Sequence, residues 1–262
     1  MKIDLCNRNA LVLGSSRGIG KAIAKGLSHA GANVCLVARN ESDLQAARAE
    51  LEAQGTKVVA VSADLASFDG VKKAFAFVEK TFGHIDILVN NCGGPKYGTL
   101  STLTEEDWDR AIDLTLRSVI RMTALVVPGM VERKWGRVVT VTSTVAKEPS
   151  PGMILSATTR AGVAAFMKAL SIETAPRGVT VNVVAPGGVL TGRIKELLEA
   201  KAHAEHRPVE ELLKESESSI PLGRFALPEE FANFVVFLCA PQSLYVTGTN
   251  VSVDGGLTKG VI

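Results

Sequence analysis

The 262-residue sequence predicts an α/β fold, a doubly wound parallel β-sheet of about seven strands with helices on both faces. Three observations carry this. Short β-branched runs alternate with amphipathic helical stretches along almost the whole chain. Those runs are continuously apolar, which marks strands covered on both faces, as parallel strands between crossover helices are. A glycine-rich turn follows the first run and opens the first helical stretch, as in a βαβ unit.

The elements follow in order. Ala10–Leu13 reads as the first strand, and a helix starts near Gly18. Asn33–Ala38 is the second strand, and Glu41–Gln54 an Ala/Leu-rich helix. Lys57–Ser62 leads into a helix ending near Phe82. Ile85–Val89 is a fourth strand, followed by a loop to Thr104 and a long helix to about Lys134. Arg137–Val141 and Val179–Val184 are strands flanking a helix from about Ser156 to Ala175. Helix Pro228–Cys239 precedes a last strand, Asn250–Val253. No linker interrupts the alternation and no repeat exists beyond it, so residues 1–262 read as one domain. Residues 187–224, rich in Glu, Lys and His with little apolar periodicity, depart from the pattern. A polar insertion beyond a strand's carboxyl end is where α/β folds place ligand-gating segments, so this stretch reads as a substrate lid.

Composition excludes several classes. Apolar residues make up 46% and charged residues 21%, which supports a buried core. Basic and acidic residues number 29 and 27, and the basic ones are scattered, so no nucleic-acid partner is expected. Apolar runs are broken before the roughly 18–20 residues a membrane span needs. No signal peptide is read in Met1-Lys2-Ile3-Asp4. Cys6, Cys35, Cys92 and Cys239 are widely spaced, the usage of a reduced cytoplasmic chain. His203 and His206 have no evident third ligand, so no metal site is expected. Trp108 and Trp135, at the two ends of the long helix, read as packing residues.

The stretch Gly14-Ser15-Ser16-Arg17-Gly18-Ile19-Gly20 carries the first chemistry. Glycines there let the backbone turn tightly, approach a pyrophosphate and pack the helix on the sheet. The open N–H groups of the helix start then face the phosphate charge. After the second strand the chain reads Arg39-Asn40, where an acid would serve a ribose 2′-hydroxyl. Arg17 and Arg39 suit a 2′-phosphate instead. The cofactor expected is NADP(H).

These motifs resemble the short-chain dehydrogenase/reductase family, in its 3-oxoacyl-carrier-protein-reductase-like branch, over essentially the whole length. Leu13-Gly14-Ser15-Ser16-Arg17-Gly18-Ile19-Gly20 matches the family's glycine motif, with Leu13 replacing Thr. Asp64-Leu65 falls at its adenine pocket, Asn90-Asn91-Cys92-Gly93 at its Asn-Asn-Ala-Gly motif, and Asp254-Gly255-Gly256 at its C-terminal motif. Pro186-Gly187, Val189 and Thr191 fall where the family meets the nicotinamide. The resemblance thus implies a Rossmann-like fold and a cofactor site of Gly14, Ser16, Arg17, Gly18, Ile19, Gly20, Arg39, Asn40, Asp64, Leu65, Asn91, Gly93, Arg160, Pro186, Gly187, Val189 and Thr191.

The catalytic positions depart from the family. Ser143 matches the serine that bonds the substrate oxygen. The tyrosine and the lysine one turn later are Ser156 and Arg160, and the asparagine of the long helix is Thr115. The chain has only two tyrosines, Tyr97 and Tyr245, and neither lies on the helix after Ser143. A serine hydroxyl is far less acidic than a phenol and shorter, so Ser156 cannot simply replace it. A water beside Ser156, with Arg160 stabilising developing negative charge, is one route. Tyr97, beside Lys96 in the loop after the fourth strand, is a second source of acid. The expected activity is NADP(H)-dependent oxidation or reduction of a small-molecule carbonyl or alcohol. The competing reading is a catalytically silent NADP(H)-binding sensor or partner subunit. Ala157, Ala161 and Ala165 recur at helical spacing, and the resemblance implies a homo-oligomer, a tetramer or otherwise a dimer, paired through that helix.

Overall fold

The computed structural model describes residues 2–52 and 55–260. Seven strands form one parallel sheet in the order β3-β2-β1-β4-β5-β6-β7. They are β1 Asn9–Leu13, β2 Asn33–Ala38, β3 Val58–Ser62, β4 Ile87–Asn90, β5 Gly136–Val141, β6 Val179–Pro186 and β7 Asn250–Val253. Strands β1, β4, β5 and β6 are buried at every position, which accounts for their largely apolar sequences; Asn9, Asn90, Arg137, Thr140, Thr180 and Asn182 are the polar side chains buried with them.

Helices α1 (Gly18–His29), α2 (Glu41–Glu52) and α9 (Pro228–Cys239) cover one face. Helices α3 (Phe68–Phe82), α5 (Ser118–Glu132) and α6 (Ile154–Thr174) cover the other. Each wholly buried Leu, Ile or Val of these layers contributes about 1.5–3 kcal/mol by leaving water. The sheet order reverses between β1 and β4, and the crevice at that switch point is where such folds bind ligands.

Local sequence sets the boundaries. Ser67 caps α3 by accepting from the Gly70 amide at 2.9 Å. Gly83, at φ 81°, ends that helix in the left-handed region. The end expected for α2 at Gln54 lies outside the described residues. Helix α6 begins at Ile154, two residues ahead of Ser156.

Two elements differ in detail from expectation. The long helix is one continuous run built from α4 (Glu105–Ala111), a π turn (Ile112–Arg117) and α5. That run is long and apolar enough in composition to cross a bilayer, although no such span was expected. In this fold its apolar side (Val119, Met122, Val126, Met130) packs on the sheet. The 187–224 stretch also has more apolar order than its composition suggested. It forms α7 (Gly192–Glu205) and α8 (Val209–Ser218), joined by their own small cluster of Leu198, Ala202 and Leu212.

Candidate active site

A cleft of about 920 Å³ runs over the carboxyl ends of the central strands. At one end lies the glycine turn. Gly14 and Gly18 hold φ of 60° and 57°, a region that glycine enters without steric cost. A Cβ on Gly20 would collide with the Gly14 carbonyl oxygen, which is what brings α1 close to β1. The N-cap of α1, Arg17, makes no side-chain cap, so the first amides of the helix stay open to an anion.

Two side chains brace this turn. Asn91 Nδ2 donates to the Leu13 and Gly14 carbonyls at 3.2 and 3.0 Å. Ser15, wholly buried, donates to the Val12 carbonyl at 2.7 Å and accepts from the Val37 amide at 2.9 Å. Ser15 thereby ties the turn to β2, a role its place inside a glycine motif does not signal.

Ser16, Arg17, Ile19, Arg39, Asn40, Asp64 and Leu65 line the same end. Asn40 also caps α2, its Oδ1 accepting from the Asp43 amide at 3.1 Å. Asp43 joins this lining too, a carboxylate one turn beyond the strand end. Arg17 projects into solvent, 77% exposed, and pairs with Glu196 of α7 at 3.6 Å.

At the other end the cleft is lined by Ser143, Ser156 and Arg160. Ser143 follows β5 with extended backbone, and its Oγ accepts from the Val145 amide at 3.4 Å. Ser156 is 4% and Arg160 8% exposed, one turn apart on α6. Arg160 Nε donates to Ser156 Oγ at 3.2 Å, and its Nη1 donates to the Val141 and Thr142 carbonyls at 3.1 and 2.8 Å. Burial pushes the Arg160 guanidinium below its usual range, and the charge of Arg193 adds to this while Cys92 opposes it. Burial likewise raises the Cys92 thiol, against the lowering effect of the Arg160 charge.

The remaining expected positions stand apart from this group. Thr115, in the π turn, is buried and spends its hydroxyl on the Ala111 carbonyl at 2.6 Å. Tyr97 lays its ring over Gly152, so that any Cβ there would collide with it. Neither side chain belongs to the cleft lining, whereas Asn91, Gly93, Pro186, Gly187, Val189 and Thr191 do.

Arg110 and Arg193 also line the cleft, and neither was foreseen. Arg193 Nη2 donates to the Pro95 carbonyl at 2.6 Å and Nη1 to Glu196 at 3.4 Å. Its guanidinium lies over Gly94, where a Cβ would come within 2.8 Å of Nη2. Both arginines sit in ordinary helical sequence, so only the fold reveals where they point.

Residues 14–258 match a family described as Enoyl-(Acyl carrier protein) reductase. The chain is 35% identical over 258 residues to the 3-oxoacyl-[acyl-carrier-protein] reductase of Aquifex aeolicus, covering 98% of this chain and 100% of that one. The chain belongs to the short-chain dehydrogenase/reductase family. Among solved structures it is similar to L-sorbose reductase from Gluconobacter frateurii complexed with NADPH and L-sorbose. That match has a TM-score of 0.93 and 33% identity, and covers 100% of each chain. It is similar also to actinorhodin polyketide ketoreductase with NADPH, at TM-score 0.93 and 33% identity, covering 97% of this chain and 98% of that one. Helix α6 carries Ser156 and Arg160 one turn apart, and its sequence contains no tyrosine.

Proposed function

We propose that the chain is an NADP(H)-dependent oxidoreductase acting on a carbonyl or alcohol group, with proton delivery that uses no tyrosine. The observation that carries this reading is a single cleft joining a complete glycine-turn cradle to Ser143. NADPH, when bound, supplies the hydride. Its pyrophosphate fits the open amides at the start of α1, and Arg17 and Arg39 stand at the end suited to a 2′-phosphate. Ser143 Oγ holds the substrate oxygen. Ser156, shorter than a tyrosine, leaves room for a water within reach of that oxygen. The Arg160 charge, held between two carbonyls and Ser156, stabilises negative charge as it develops. Relatives named for 3-oxoacyl, sorbose and polyketide reduction support a carbonyl as the reacting group. Helices α7 and α8 form the lid, and Ala161 and Ala165, exposed on α6, form the subunit contact of a homo-oligomer.

The test is NADPH oxidation across a panel of ketones and aldehydes. Some member is reduced, and Ser143→Ala lowers that turnover by about 100-fold or more, the loss typical of one preorganised donor. Tight NADPH binding with no turnover over the panel would leave a cofactor-binding sensor or partner subunit.

A further inference from the structure

Arg160 is a buried cation without a counter-ion among the described residues. Its partners are two carbonyls and a hydroxyl, which satisfy N–H groups but do not neutralise charge. Its Nη2 has no protein acceptor among the described residues. The chain contains a useful contrast in Arg137, which is also buried. Arg137 lies 4.5 Å from the centre of the Trp135 ring, whose negative face compensates the charge. Arg160 has neither ring nor acid, and it lines an open cleft.

The cleft that it lines carries more arginines than acids. Arg193 acts on Arg160 through its own positive charge. Arg110, on the last turn of α4, lines the same cleft and forms no ion pair or hydrogen bond among the described residues. The acids of the lining are Asp43 and Asp64, which belong to the adenine end, and Glu196. Glu196 is already shared between Arg17 and Arg193, at 3.6 and 3.4 Å. Low-dielectric walls concentrate such a field on whatever enters.

We propose that the substrate end of the cleft is built for an anion, and that the substrate is an oxo acid, or its hydroxy acid, whose carboxylate faces Arg160 within the field of Arg110 and Arg193. This rests on the oxidoreductase reading for its substrate, while the anion site itself stands on the arginines. A carboxylate meets the unmatched N–H groups of Arg160 and its charge with charge-assisted hydrogen bonds, which a neutral ketone offers only in part.

The experiment pairs each acid with its uncharged ester: pyruvate, acetoacetate and 2-oxoglutarate against their methyl esters. Two readouts are taken, NADPH oxidation and calorimetric titration of the protein–NADPH complex. The preferred acid is expected to exceed its ester in kcat/KM by about 10- to 100-fold, the range for a hydrogen bond to a charged group. Arg193→Gln and Arg110→Gln, both away from the core, each narrow that ratio, and added salt narrows it further. Esters turned over as well as or better than acids would overturn the proposal. If none of these compounds is turned over, the oxo-acid substrate is overturned, the oxidoreductase reading is decided by the wider ketone and aldehyde panel, and the titration still decides the anion site. Heat from an acid and none from its ester sustains the site; equal heat, or none from either, overturns it.

Discussion

At the residue scale, the proposed selection of NADP(H) over NAD(H) is assigned to Arg17 and Arg39. Both face the end of the cleft beyond β2, and each offers a charged fork to a phosphate. Arg39→Ala is therefore expected to weaken NADPH binding by about 10- to 100-fold while leaving NADH binding nearly unchanged. Fluorescence titration with the two cofactors checks this, and equal weakening of both would contradict the 2′-phosphate role. These two arginines were legible in the sequence because each follows a motif of fixed geometry. Arg110 and Arg193 were not, because a helix sequence does not say which cleft its side chains line. Tyr97 shows the opposite case. Its place in the loop after β4 promised proximity to the cleft, yet its ring turns to pack over Gly152.

At the element scale, the turn between β1 and α1 is tightly constrained backbone. Gly20 lies against the Gly14 carbonyl, and Asn91 reaches across from β4 to hold the same carbonyl. A methyl group on Gly20 displaces the turn itself. Gly20→Ala is thus expected to abolish NADPH binding and to lower the melting temperature even without cofactor. Unchanged melting with lost binding would mean that the clash is relieved at no structural cost. The glycine pattern, the strand order and the alternation of elements were readable because turn chemistry and burial on both faces leave local marks. The π turn and the order within α7 and α8 were not readable. A π turn depends on one register shift inside a helix, and the α7–α8 cluster involves only three buried residues.

At the scale of the whole molecule, α7 is tied to both sides of the cleft through its charged side chains. Glu196 links α7 to Arg17 of the glycine turn, and Arg193 links it to the loop after β4. The Arg17–Glu196 pair is largely solvent-exposed, and such pairs are weak. Glu196→Gln frees Arg17 for the cofactor and is expected to tighten NADPH binding by less than about fivefold. Loosened binding would show that Glu196 instead helps to hold the lid in a binding-competent position. The exposed face of α6 supplies a second prediction. Ala161→Arg places a long charged side chain on the small-residue stripe, and sedimentation should show a smaller assembly than the parent chain. An unchanged assembly would move the subunit contact elsewhere.

The central claim is hydride transfer to a carbonyl carbon at a site without the tyrosine, and isotope transfer tests it most directly. NADPH carrying deuterium at both C4 positions is incubated with the protein and a reducible oxo acid, and the product is examined by mass spectrometry. The account predicts a hydroxy acid carrying one deuterium on the former carbonyl carbon, formed by the parent chain and lost in Ser143→Ala. Intact labelled NADPH bound to the protein, with no labelled alcohol from any carbonyl compound offered, would contradict it.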